Sequence, residues 1–334
     1  MLSQKESIAI SYIRVLAMIS IVLCHVFMCL RLKYNDDFRY LSLSLNVGVQ
    51  VFLCISGFLY GKKDVADWNK WFKQRFHKIF VPYLILVICV VLLDIILGNV
   101  HSLGCYVEYG VGLSGFAWAG GPGWIHSLLA HTWFITAICL AYLITPILQI
   151  LKRKAEIRPA FAFILLLIVL IIGYGGGYFF DVKVVRIISS WILLYSFSYF
   201  YACITPTIQK WIRIALLAFF VLSLSLLSKN DFHEIFESCV YQITHDIGGL
   251  VILTFGIVLL RNIAKNLPKP IKLLDDYSFS IYLVHYPILI ICFGWFYPNL
   301  WISILVSLIG LVFSVFIFDY LIRKVNNIIN NIKF

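Results

Sequence analysis

Charge is what this chain has least of. Only 13% of its 334 residues are Asp, Glu, Lys or Arg, while 62% are hydrophobic. A soluble domain averages about 25% charged residues. No soluble fold of this length hides so much apolar surface, so the composition predicts an all-α polytopic membrane protein. The apolar runs show no strict alternation, which excludes a barrel in favour of helices. The nine cysteines include no CxxC pair, and an odd count excludes a fully paired disulfide framework. Most lie in apolar runs, where they read as small buried hydrophobes; Cys105 and Cys239 fall in candidate external loops and could pair. There is no Walker loop, no GxSxG, no HExxH and no zinc-ligand spacing, so these familiar chemistries are unmarked and no metal is expected. No small-residue cleavage site follows the first apolar run, which is therefore read as a retained span. Paired broken half-helices of the transporter kind are also missing, and Gly173 to Gly177 is a lone irregularity. Without repeats or an appended soluble segment, residues 1–334 read as a single membrane-embedded domain.

What is present is a ladder of apolar segments, near 8–30, 43–60, 79–97, 133–151, 161–180, 187–204, 212–227, 247–260, 277–296 and 300–322. The net charge of +11 would suit nucleic acid, but its distribution suits a membrane. With about ten transmembrane helices, twenty of the 27 Lys and Arg residues fall on one side and six on the other, alternating loop by loop, with Arg14 inside the first span. The positive-inside rule then places both termini in the cytoplasm. The longest external loop, about 98–132, has no Lys or Arg but eight of the twenty glycines. A loop of this length is usually functional or disordered, and its apolar, aromatic character predicts that it packs over or re-enters the membrane domain.

Arg14 and His25 stand inside the first run. An ionisable group at membrane depth costs at least about 2.5–3.5 kcal/mol, so each is a functional candidate. Eleven residues are three helical turns plus about 20°, which puts both on one face about 16–17 Å apart. They cannot touch, but they could hold two ends of one long ligand. Neutral imidazole can take a proton from a hydroxyl or thiol. Asp94, Asp246, Asp319, Glu108, Glu234 and Glu237 are the carboxylates that could orient it, and nothing local selects among them.

Four further constellations carry polar or aromatic groups. Around Arg75 lie Lys70, Lys73, His77 and Lys78, either ordinary cytoplasmic anchoring or an anion site for a phosphorylated donor. Ser56 and Gly57 let another helix approach closely, and packing is the simpler reading there. His131-Thr-Trp133-Phe134 opens the fourth span. His285 lies about 12 Å into the ninth, a second intramembrane histidine that is either structural or functional. His101, His126, His131, His233 and His245 fall in external loops and hint at an outward-facing acceptor site.

In this order, on ten spans, the motifs resemble the acyltransferase-3 family of bacterial integral-membrane acyltransferases. Arg14 and His25 match the family's first-span signature of Arg or Lys, ten residues, then His. Ser56, Gly57 and Phe58 match its SGF-type motif. Arg75 matches the RxxR motif in part, since Lys78 stands at the second arginine and supplies a point charge in place of a bidentate fork. The segments from His131 and from Ser278 to His285 are also similar to family patterns. The resemblance implies transfer of an acyl group, most often acetyl, from acyl-CoA to a hydroxyl of a cell-surface polysaccharide or its lipid-linked precursor. It implies His25 and Arg14 as catalytic residues, and Arg14, Arg75 and Lys78 as donor-binding residues. Ser56, His131, Trp133 and His285 would be supporting residues. The setting would be a bacterial inner membrane, with membrane lipid, acyl-CoA and a glycan acceptor as partners, no nucleic acid, and a homo-oligomer as an option. Unlike some members, this chain is expected to lack an external SGNH domain. The alternative reading is a transporter or flippase of acyl or glycan intermediates that performs no chemistry.

Overall fold

The computed structural model describes residues 2–34, 36–155, 168, 172–177, 179–227, 239–264, 266–296 and 299–331. Among the described residues there is no strand. The helices are α1 (Gln4–Lys33), α2 (Arg39–Leu45), α3 (Gly48–Gly61), α4 (Trp68–Leu97), α5 (Leu103–Gly110), α6 (Ser114–Trp118), α7 (Trp133–Ala155), α8 (Lys183–Tyr201), α9 (Pro206–Leu227), α10 (Cys239–Ile263), α11 (Lys269–Trp295) and α12 (Leu300–Asn331). Nine helical segments among the described residues are long and apolar enough to cross a membrane, and the protein is an all-α, multi-pass membrane protein. They include nine of the ten expected spans; the expected span at 161–180 lies largely outside the described residues.

Most of these helices overrun the apolar stretches that mark them, because capping chemistry rather than hydropathy sets their ends. Ser3 and Glu6 form a reciprocal capping box at the start of α1, through Glu6 N–H to Ser3 Oγ (3.2 Å) and Ser3 N–H to Glu6 Oε2 (2.9 Å). Asp67 caps α4 through Lys70 N–H at 2.9 Å, so the helix begins about a dozen residues before the apolar run. Gly98 ends it in the left-handed conformation at φ 71°, where a side chain would be strained.

The chain divides into two compact units. The first comprises Met1–Ile21, Leu43–Asp64 and Ala137–Asp275. Its centre is the contact of α3 with α8. A Cβ added to Gly57 would collide with the carbonyl oxygen of Tyr195, and one on Gly61 with that of Tyr199. Two glycines four apart thus meet two backbone carbonyls four apart, so the helices run in the same direction and touch backbone to backbone. Lys152 closes the end of α3, donating to Gly61 O at 3.1 Å and Asp64 at 3.0 Å.

The second unit comprises Val22–Ser42, Val65–Thr136 and Asp276–Phe334. Here the 98–132 loop folds onto its own unit through the short helices α5 and α6. Tyr83 OH donates to Tyr109 O at 2.5 Å, Thr136 Oγ1 donates to Gly112 O at 2.6 Å and accepts from Gly115 N–H at 2.8 Å, and Trp118 stacks on Trp133 at 4.3 Å. Cys105 is buried in α5, and all nine cysteines are free thiols, so the Cys105–Cys239 pairing that the loops allowed does not form.

Candidate active site

The second unit gathers His25 from α1, His285 from α11 and His131 from a 3-10 turn (Ala130–Thr132) ahead of α7. His25 Nδ1 lies 2.8 Å from His285 Nε2. His285 Nδ1 lies 2.7 Å from Tyr282 O and 3.2 Å from Ile281 O, the carbonyls one turn back on its own helix. A carbonyl only accepts, so His285 Nδ1 carries the proton and its Nε2 offers a lone pair. His25 must then donate from Nδ1, which makes Nε2 its basic nitrogen. The tautomers of both rings follow from one helix carbonyl.

Pro287 fixes the third histidine. A proline has no N–H, so the carbonyl four residues earlier, Leu283 O, is left without its helical donor. His131 Nε2–H fills that role at 3.0 Å, and Tyr282 OH returns a bond to His131 O at 2.5 Å. His131 Nδ1 is thereby left as a buried lone pair with no hydrogen bond. Tyr286 sits between the rings, stacked on His131 (centroids 4.9 Å) and edge-on to His25 (4.8 Å). The arrangement holds one imidazole nitrogen as a base while its neighbours set its orientation.

The other expected residues are placed as follows. Arg14 belongs to the first unit, where its Nη1 pairs with Asp275 Oδ1 at 2.7 Å. It and His25 ride on the same unbroken helix, about 16–17 Å apart along its axis. Ser56 is half-buried on α3 beside Gly57. Arg75 (half-buried) and Lys78 (exposed) lie three residues apart near the start of α4, and Trp133 packs on Trp118.

The candidate carboxylates and loop histidines have partners of their own. Asp94 is 3% exposed and accepts from His126 Nε2 at 2.8 Å and Tyr106 OH at 2.9 Å. His126 is buried with it, and burial pushes its pKa below the ordinary imidazole value while Asp94 pulls the other way. Glu108 accepts from Trp124 N–H at 3.1 Å. His245 is within α10 rather than in a loop, its ring nitrogens 2.8 Å from Tyr241 O and Leu43 O. Asp246 is buried and accepts from Ser190 Oγ at 2.7 Å, and Asp319 pairs with Arg323 at 2.7 Å. The acceptor for His25 Nδ1 is an imidazole in place of any of these carboxylates. His233, Glu234 and Glu237 lie outside the described residues.

Sequence reading missed Tyr286, Pro287 and Asp275. The proline was the available signal, since a helix-breaking residue two positions after an intramembrane histidine frees a backbone acceptor that some buried donor must fill. Asp275 gave none, because it lay just outside the apolar run.

Neither the curated proteins nor the solved structures include a match to this chain. A family model described as an acyltransferase domain matches residues 7–323. That is nearly the whole length, and the chain belongs to the acyltransferase-3 family, whose members transfer acyl groups.

Proposed function

We propose that this protein transfers an acyl group, most simply acetyl, from cytoplasmic acyl-CoA to a hydroxyl of a cell-surface polysaccharide or its lipid-linked precursor. It does so as one acyltransferase domain spanning residues 1–334, in a bacterial inner membrane with both termini inside. The observation that carries the reading is the relay Tyr282 O···His285···His25, which directs the basic Nε2 of His25 to a defined place. His25 Nε2 takes the proton of the acceptor hydroxyl as that oxygen attacks the thioester carbonyl. The C–S bond breaks, and CoA leaves as a thiolate that recovers the proton from His25. Arg14, Arg75 and Lys78 bind the anionic part of the donor. His285, His131, Trp133 and Ser56 shape the surroundings.

Labelled acetyl-CoA supplied to membranes tests this. The enzyme forms an acylated glycan and free CoA, whereas a transporter without chemistry forms neither. His285→Ala removes the acceptor that fixes the tautomer of His25. The turnover number should fall by about 10²-fold, from the lower end of what positioned general-base catalysis supplies, with the donor KM unchanged. His285→Gln presents an amide oxygen to His25 Nδ1 and should recover part of the loss. Equal losses in both variants would remove His285 from the mechanism.

Arg14 gives a second test. Arg14→Ala removes the ion pair to the partly buried Asp275, a change worth up to about 3–5 kcal/mol where a pair is fully buried and less at this half-exposed arginine. The exchange Arg14→Asp with Asp275→Arg should restore thermal stability in detergent but not donor binding. Restored acyl-CoA affinity in the exchanged protein would show that Arg14 serves only the ion pair.

A further inference from the structure

We propose that Asp94, His101 and His126 form a binding site for a divalent transition metal of the zinc class. One ligand atom from each lies within 4.8 Å of the other two. Zinc takes imidazole and carboxylate ligands at about 2.0–2.2 Å, so neighbouring ligand atoms in a tetrahedron sit about 3.3–3.6 Å apart. His126 Nε2 and Asp94 Oδ2, at 2.8 Å, are already closer than that. Loading opens that pair by about 0.5–0.8 Å and swings the exposed ring of His101 inward.

The surroundings are built for a fixed ligand set. Tyr106 OH donates to Asp94 Oδ2 at 2.9 Å and accepts from His101 N–H at 3.0 Å, so one phenol positions two of the three residues. Outer contacts of this kind commonly orient metal-ligating carboxylates. Asp94 and His101 both line a cavity of about 510 Å³, together with Asn99, Ser127 and Trp295. That space admits a fourth ligand, a water or a substrate oxygen. The three residues are seven and then twenty-five positions apart, which is why no zinc spacing marks them.

The hydrogen bonds also define what loading must change. Leu128 N–H donates to His126 Nδ1 at 3.1 Å, so the ring proton is on Nε2 and is shared with Asp94. A metal at Nε2 takes that place, and the neutral ring carries its hydrogen on Nδ1. No net proton is released, but the bond from Leu128 is lost. Its amide becomes a reporter of occupancy, independent of any acyl-transfer activity.

The test uses the full chain in detergent micelles, stripped with EDTA and dialysed against Zn²⁺ or Co²⁺. Mass spectrometry of the metal should give about one equivalent per chain, and Co²⁺ should show the visible bands of a four-coordinate site. Zinc should speed amide exchange at Leu128. His101→Ala changes an exposed residue and keeps the fold; it should weaken binding at least about tenfold and abolish the exchange response. Asp94→Asn should act similarly. A stripped wild-type protein that takes up no stoichiometric metal, or a His101→Ala protein that binds as tightly as wild type, overturns the proposal.

Discussion

Membranes carrying His25→Ala should transfer acyl groups about 10²–10⁴-fold more slowly than wild type, the range that a positioned general base contributes. The loss should fall on the turnover number, because Arg14, assigned to the anionic end of the donor, lies three helical turns from His25 on α1. Stability should change little in comparison. His25 is half-buried, and its loss leaves His285 Nε2 as a lone pair that a water can satisfy in the space of the missing ring. His25→Gln is the sharper probe. An amide can donate to His285 from its nitrogen, so the local network survives, but it has no basic nitrogen to accept a proton. It should be as inactive as alanine and better folded. Turnover at the wild-type rate by a folded His25→Ala protein would end the assignment. Residual activity in His25→Gln well above that of His25→Ala would make His25 a positioning residue and move the base elsewhere.

The class of fold was legible because it depends on bulk properties. Sparse charge and long apolar runs without strict alternation favour a helical bundle in lipid. Arg14 and His25 stood out as candidates because an ionisable residue in such a run has no ordinary reason to be there. What joins His25 to His285 was not, since 260 positions separate them and helix periodicity says nothing about which faces meet. The orienting group was sought among carboxylates. Here a backbone carbonyl inside a helix fixes the proton, an option that gains weight in a membrane, where a second charge is expensive to bury. The pairing of Asp94 with His126 was hidden for a related reason, since 32 positions separate them. The glycine-rich loop holding His126 is bound to its own unit by Tyr83, Thr136 and Trp133.

The SGF-type segment is where a motif and a packing role coincide, and Gly57→Ala separates them. The Cβ it introduces would point into the carbonyl oxygen of Tyr195. A side-chain neighbour could rotate away, but a helix backbone cannot, and Gly61 on the next turn pins α3 to α8 at Tyr199. Overpacking of this kind costs about 1–3 kcal/mol and sometimes more, and a rigid backbone obstacle places Gly57 at the upper end or beyond. Gly57→Ala should therefore lower the melting temperature of the detergent-solubilised protein by several degrees, and Gly57→Val should leave little monodisperse protein. Gly110→Ala is the matched control: it also lies in a helix, but nothing stands within 4 Å of the added Cβ. Its effect should be neutral or slightly favourable, following helix propensity. The molecules of Gly57→Ala that remain folded should keep their acyl-transfer rate per molecule, because the strain sits at the crossing of α3 with α8 and the proton relay belongs to α1 and α11. A Gly57→Ala protein as stable as wild type but inactive would reverse the assignment, making the small residue a requirement of the substrate and leaving Ser56 beside it as the next group to replace.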